Sequence, residues 1–220
     1  MKTRLVNLSL VSLVLLASAL LVFPMLSFAD SEGASNEFVN RGNANYEKGD
    51  YEGAIVNYNK AIEINQSNYV AYQNRAKAYH AKRDYDRAID DYSKAIEMNK
   101  RDARGDSDMY GIRANLYHER GHNDMAIADF SRVIEMNPRN DMAFVNRGNL
   151  FFQMGNNDKA ISDFSMAIEI NPRNALAFVN RANLFIKIGN NDRAIADFET
   201  AARLGNRDSQ DYLRSISYQW

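Results

Sequence analysis

An all-α solenoid of stacked helical hairpins is the fold class this sequence predicts, from a period, a residue-size pattern and the punctuation between them. The pair Ala-Ile recurs as Ala54-Ile55, Ala88-Ile89, Ala126-Ile127, Ala160-Ile161 and Ala194-Ile195, at intervals of 34 residues except for one of 38. Such a period marks a supersecondary unit that buries its apolar face only by stacking on its neighbours. Within a unit, Phe144, Arg147, Gly148 and Phe151 fall at i, i+3, i+4 and i+7, the spacing of an amphipathic helix. Gly49, Gly121, Gly155 and Gly189 mark a turn inside the hairpin, and Pro138 and Pro172 one between hairpins.

In this frame the five units span residues 35–68, 69–102, 107–140, 141–174 and 175–208, with an inserted loop at 103–106. Position 8 of the unit is Gly42, Ala76, Ala114, Gly148 or Ala182, and position 20 is the alanine of each Ala-Ile pair. Small residues there let the two helices of a hairpin approach closely. Position 27 is a third small site: Ala61, Ala95, Val133, Ala167 and Ala201. Aromatic residues fill position 4 (Phe38, Tyr72, Tyr110, Phe144, Phe178) and position 24 (Tyr58, Tyr92, Phe130, Phe164, Phe198) as knobs for these holes. Residues 209–220 keep helical spacing at Tyr212, Leu213 and Ile216 and end on Trp220, which suits a capping helix over the fifth unit.

A polar pair recurs inside this apolar frame. Position 7 is Arg41, Arg75, Arg113, Arg147 and Arg181, and position 23 is Asp91, Asp129, Asp163 and Asp197 in the last four units. The two positions face each other across the hairpin, so each pair is expected to form a bidentate bridge between its helices. Asn57 stands opposite Arg41, so that arginine needs another partner.

Period and residue type at these positions resemble the tetratricopeptide repeat family, in which position 7 is more often apolar. The resemblance implies a right-handed superhelix whose inner surface is lined by the first helix of each unit, mainly at positions 2, 5, 6, 9, 12 and 13. Here those positions are rich in asparagine. Position 6 is Asn40, Asn74, Asn146 and Asn180, with Ile112 as the exception; position 9 is Asn43, Asn115, Asn149 and Asn183, with Lys77 as the exception. An amide side chain both donates and accepts, so such a row can hydrogen-bond the backbone of an extended peptide. It is similar to the asparagine ladder in the repeat domain of O-GlcNAc transferase. The plainer reading is that one unit was duplicated with its soluble asparagines. The expected groove residues are Asn43, Asn74, Lys77, Asn115, Asn146, Asn149, Phe152, Asn180 and Asn183. Units four and five add apolar lining at Met142, Val145, Phe152, Leu176, Val179 and Ile186, and Gly111 leaves a hollow midway. The basic residues with which family cochaperones hold a terminal carboxylate are replaced by Val39, Asn74, Asp108 and Ile112.

The N-terminus follows other rules. Lys2 and Arg4 precede an apolar run from Leu5 to Leu21, Pro24 breaks it, and Ser27-Phe28-Ala29 offers a cleavage site ahead of Asp30. Residues 1–29 read as a secretory signal peptide, with an uncleaved membrane anchor as the rival reading. Residues 30–34 then form a linker, and the repeats are exported, periplasmic or secreted. Loss of Lys2 and Arg4 takes the 27 basic residues to 25 against 28 acidic, a balance of −3.

Composition closes off other classes. A formal charge of −1 in 220 residues lacks the basic excess that nucleic acid requires, and no cysteine is present for disulfides, thiolate metal sites or nucleophilic catalysis. No nucleophile motif, phosphate loop or zinc helix occurs, so the expectation is a non-enzymatic protein without cofactor or metal. His80 and His118, both at position 12, lack carboxylate support for a metal. Arg104-Gly105-Asp106, in the inserted loop, resembles the tripeptide read by integrins and reads equally as a plain turn. Two function classes follow: an exported scaffold or adaptor that binds a protein or peptide segment in its groove, or a self-associating, homo-oligomeric structural protein of the envelope.

Overall fold

The structure is a computed structural model that describes residues 28–99 and 103–217. Among them are eleven helices in sequence: α1 (Phe28–Glu47), α2 (Tyr51–Ile64), α3 (Tyr69–Ala81), α4 (Tyr85–Met98), α5 (Ala103–Glu119), α6 (Asn123–Met136), α7 (Asp141–Gln153), α8 (Asn157–Ile170), α9 (Ala175–Lys187), α10 (Asn191–Arg203) and α11 (Arg207–Ser215). Odd-numbered helices up to α9 are the first helices of the five units, and even-numbered ones the second. The fold is the expected all-α solenoid.

Local chemistry sets the boundaries. Asp50, Asn68, Asp84, Asn140, Asn156, Asn174, Asn190 and Asn206 each accept a backbone N–H of the helix that follows, satisfying donors that a helix start leaves free. The turn within a hairpin passes through the left-handed region, at φ 77° for Gly155 and φ 60° for Arg83, which takes the glycine's place in the second unit.

Packing follows the size pattern. All five position-20 alanines are fully buried, and Tyr58, Tyr92 and Phe164 are buried against them. Burial of one such ring contributes roughly 1.5–3 kcal/mol. Gly148 shows how tight the fit is: a Cβ there would lie 2.8 Å from Phe164 Cε1. Among the first helices α1 touches α3 and α7 touches α9, as expected where first helices form the inner side of the stack.

Three expected boundaries change. Residues 30–34 continue α1 instead of forming a linker, and residues 103–106 form the first turn of α5 instead of a loop. The four extra residues thus lengthen a helix at its start and leave the stacking register downstream undisturbed. The cap, α11, starts at Arg207; Leu213 is fully buried and Tyr212 lies on Phe198 with ring centroids 4.5 Å apart. Ile216 is 43% exposed and does not join the cap, and Trp220 lies outside the described residues. So do residues 1–27, which carry the apolar run of the signal-peptide reading, and the side chains of Arg104 and Asp106. Among the described residues no helix is long and apolar enough to cross a membrane.

Candidate functional site

Beneath the groove runs a polar spine that holds the first helices in register. Arg75, Arg113, Arg147 and Arg181 each grip the aspartate of their own hairpin with two bonds; for Arg147 both are 2.8 Å, Nε to Asp163 Oδ2 and Nη2 to Asp163 Oδ1. The remaining Nη1 donates backward to position 25 of the preceding unit: to Asn59 from Arg75, Ser93 from Arg113, Ser131 from Arg147 and Ser165 from Arg181, at 2.6–2.9 Å. Each of these serines donates in turn to a backbone carbonyl of its own helix. One guanidinium therefore joins three helices and two units, which the pairing of positions 7 and 23 alone does not reveal. Aromatic rings at positions 4 and 11 lie near its faces, Phe144 at 5.7 Å and Phe151 at 5.8 Å from Arg147 Cζ. Burial, the largest influence on Arg75 and Arg113, works to lower their pKa. The hydrogen bonds and charge of Asp91 and Asp129 outweigh it, so both stay above the ordinary arginine value. Arg41, without an aspartate, turns outward to Glu37 at 2.5 Å, while Asn57 donates to the Gly53 carbonyl.

The asparagine row lies above this spine, and part of it is bonded to itself. Asn74 Nδ2 donates to Asn43 Oδ1 at 2.9 Å, and Asn180 Nδ2 to Asn149 Oδ1 at 2.8 Å, linking position 6 of one unit to position 9 of the unit before. Asn43 Oδ1 also accepts the Tyr58 hydroxyl at 2.8 Å. These bonds fix the amides and leave further donors and acceptors for a ligand.

Two cavities open between units along the row. Asn43, Tyr46, Glu47, Tyr58, Asn74 and Lys77 line the first, of about 240 Å³. The second, about 330 Å³, has Asn115, Asn146, Asn149, Asn180 and Gln153 amides around Phe130, Leu150 and Phe152, with His118 beside them. The Lys187 ammonium sits over the Phe152 ring at 4.5 Å. Eight of the nine expected groove residues thus line one cavity or the other; Asn183 is exposed and lines neither. Met142, Leu176 and Ile186 are exposed as expected, but Val145 is fully buried, because position 5 of the fourth unit packs with Phe144, Ala167 and Ala177. Gly111 has Val133 Cγ2 at 3.9 Å, an ordinary contact for an added methyl. His118 Nδ1 lies 3.0 Å from Asn123 Oδ1, an oxygen that only accepts, so the Nδ1 tautomer carrying the proton donates to it, and no group of three or more potential metal ligands occurs among the described residues.

The row breaks between the second and third units, and a tyrosine records the break. Tyr92 occupies the place of Tyr58, but Lys77 replaces the asparagine, and the fully buried Tyr92 hydroxyl has no partner among the described residues. Replacing Tyr92 by phenylalanine is expected to raise stability by about 1 kcal/mol, and the same change at Tyr58 to cost about 1 kcal/mol, measured by chemical unfolding. Burial pushes the Tyr58 hydroxyl up to about 12. Unfolded tyrosine ionises near 10, so this group's contribution is intact below pH 10 and is lost as pH rises from 10 to 12. The Tyr58→Phe variant should lose less stability than the parent across that window.

Comparison with known proteins agrees with this geometry. Family models described as TPR repeat and tetratricopeptide repeat match residues 42–83, 114–155, 69–102, 142–174 and 175–204. No curated protein sequence matches the chain. Among solved structures it is similar to YrrB, described as a TPR protein with an unusual peptide-binding site, at 23% identity and TM-score 0.66 over 76% of this chain and 84% of that one. It is similar to MamA at 22% identity and TM-score 0.72 over 80% and 94% of the two chains. The pilF protein of Pseudomonas aeruginosa matches at 19% identity and TM-score 0.62 over 84% and 93%. At these identities the likeness is one of fold.

Proposed function

Because this chain belongs to the tetratricopeptide repeat family, and so to a class of protein-interaction scaffolds, we propose that it is an exported, non-enzymatic adaptor that holds an extended protein segment in its groove. The observation that carries this reading is the cavity between the third and fourth units. Its rim of amides suits the alternating N–H and C=O groups of an extended backbone, and Phe130, Leu150 and Phe152 suit one apolar side chain of the bound segment. The peptide-binding site for which YrrB is described supports the reading by analogy. Export rests on residues 1–29 alone: the basic start, the apolar run and the small-residue cut before Asp30.

Affinity capture from an envelope fraction tests the proposal, with the chain from Asp30 as native bait and an Asn149→Ala, Phe152→Ala double variant as control. A polypeptide held by the native bait is expected to bind the variant at least about tenfold more weakly, with helicity and melting unchanged. Equal retention by both baits refutes the groove, and recovery of the chain alone favours the self-associating reading.

A further inference from the structure

We infer that the edge formed by the hairpin turns of units three to five is a second docking face, for a protein segment that interleaves lysine or arginine with apolar residues. The argument starts from a ladder complete in one half of the molecule and broken in the other. Position 18, in the first turn of each second helix, is acidic in every unit: Glu52, Asp86, Asp124, Asp158 and Asp192. In the N-terminal half each carboxylate is neutralised by position 14 of the following unit. Lys82 pairs with Glu52, and Arg120 with Asp86 at 2.8 Å from Nε to Oδ1 and 3.0 Å from Nη2 to Oδ2.

In the C-terminal half the partner is gone. Position 14 becomes Met154 and Ile188, 49% and 44% exposed, and Asp124, Asp158 and Asp192 have no ion pair among the described residues. The nearby cations are committed elsewhere: Arg120 to Asp86, Lys159 over the Phe151 ring and Arg193 over the Phe185 ring. Met154 and Asp158 border one shallow pocket, Ile188 and Asp192 the next. Asn157, which borders the first of these, keeps its carbonyl oxygen buried and without a donor among the described residues, because Phe152 stands where His118 serves Asn123 in the preceding unit.

Unmatched carboxylates alone would indicate only a solvated edge. Alternating at the repeat spacing with exposed apolar side chains, they match a segment whose basic groups replace the missing position-14 cations and whose apolar groups cover Met154 and Ile188. Lys82 and Arg120 show that this edge geometry accepts a cation. The face lies on the turns, where Met154, Asp158, Ile188 and Asp192 line none of the Asn149 and Phe152 cavity, and it does not depend on the groove reading.

Fluorescence anisotropy with a labelled peptide of alternating lysine and leucine tests the inference. The native chain should bind it saturably, with affinity falling as salt rises, and a peptide of alternating glutamate and leucine should not bind. Met154→Lys with Ile188→Lys transfers the N-terminal pairing to this half and should weaken binding at least about tenfold. Met136→Lys with Met166→Lys adds the same charge at exposed sites elsewhere and should leave binding unchanged. The absence of saturable binding, equal binding by the native and edge variants, or equal losses in the edge and charge-control variants would overturn it. Unchanged circular dichroism and melting of the edge variant confirm that any loss is not a loss of fold.

Discussion

Asp163→Ala is expected to lower the unfolding free energy by about 3 kcal/mol, a large effect for a change that removes only a carboxylate. The loss comes from what remains. Arg147, 20% exposed, would keep its charge between Phe144 and Phe151 with only the Ser131 hydroxyl as acceptor, and its position would no longer be shared with α8. Arg147→Met added to Asp163→Ala should recover most of the stability, because the double variant buries no unpaired charge and Ser131 still donates to the Ile127 carbonyl. Stability in a stack is a sum over units and their interfaces, so hydrogen exchange should place the loss in α6, α7 and α8 before the ends. A cost of Asp163→Ala below about 1 kcal/mol, read from urea unfolding, would show that the spine aligns the units without stabilising them.

Gly148→Leu should be comparably damaging, at about 3 kcal/mol, for the opposite reason. Here the hairpin has no room: an added Cβ meets Phe164 Cε1 at 2.8 Å and Asp163 Cβ at 3.2 Å, so a leucine forces α7 away from α8 and strains the bridge beside it. Phe164→Ala alone leaves a cavity and costs about 3–5 kcal/mol. In combination the new leucine fills part of the space left by the ring, so the double variant should cost clearly less than the two single changes together. Gly111→Ala is the contrast: its nearest foreign atom is at 3.9 Å, and the gain in helix propensity is up to about 1 kcal/mol. Thermal unfolding of the four variants separates crowding from propensity.

Much of the site was legible because the repeat supplies its own alignment. The sixteen-residue separation of Arg75 from Asp91 recurs in the next three units, and a charge pair that survives in an apolar frame has to meet. The third partner was not legible, since Ser93 and Arg113 are twenty residues apart where Ser131 and Arg147 are sixteen. Only the added helical turn at the start of α5 shows how both spacings serve the same contact. Bonding within the asparagine row likewise depends on how far one unit is rotated on the last. Val145 was misplaced for a related reason: groove and core positions adjoin on α7, and a fraction of a turn separates them.

What the sequence determined by itself is periodic: the all-α class, the five units, the buried small and aromatic positions and the arginine–aspartate pairs. Each follows from spacing within one hairpin, where helical geometry converts sequence separation directly into proximity. What the tertiary structure alone decided lies between hairpins. It made the 103–106 insertion a helical turn, coupled Asn43 to Asn74 and Asn149 to Asn180, orphaned the Tyr92 hydroxyl and left Asp124 and Asp158 without cations. Those outcomes depend on the rise and rotation from unit to unit, which are set by the packed side chains at the interface and appear in no local pattern of residues.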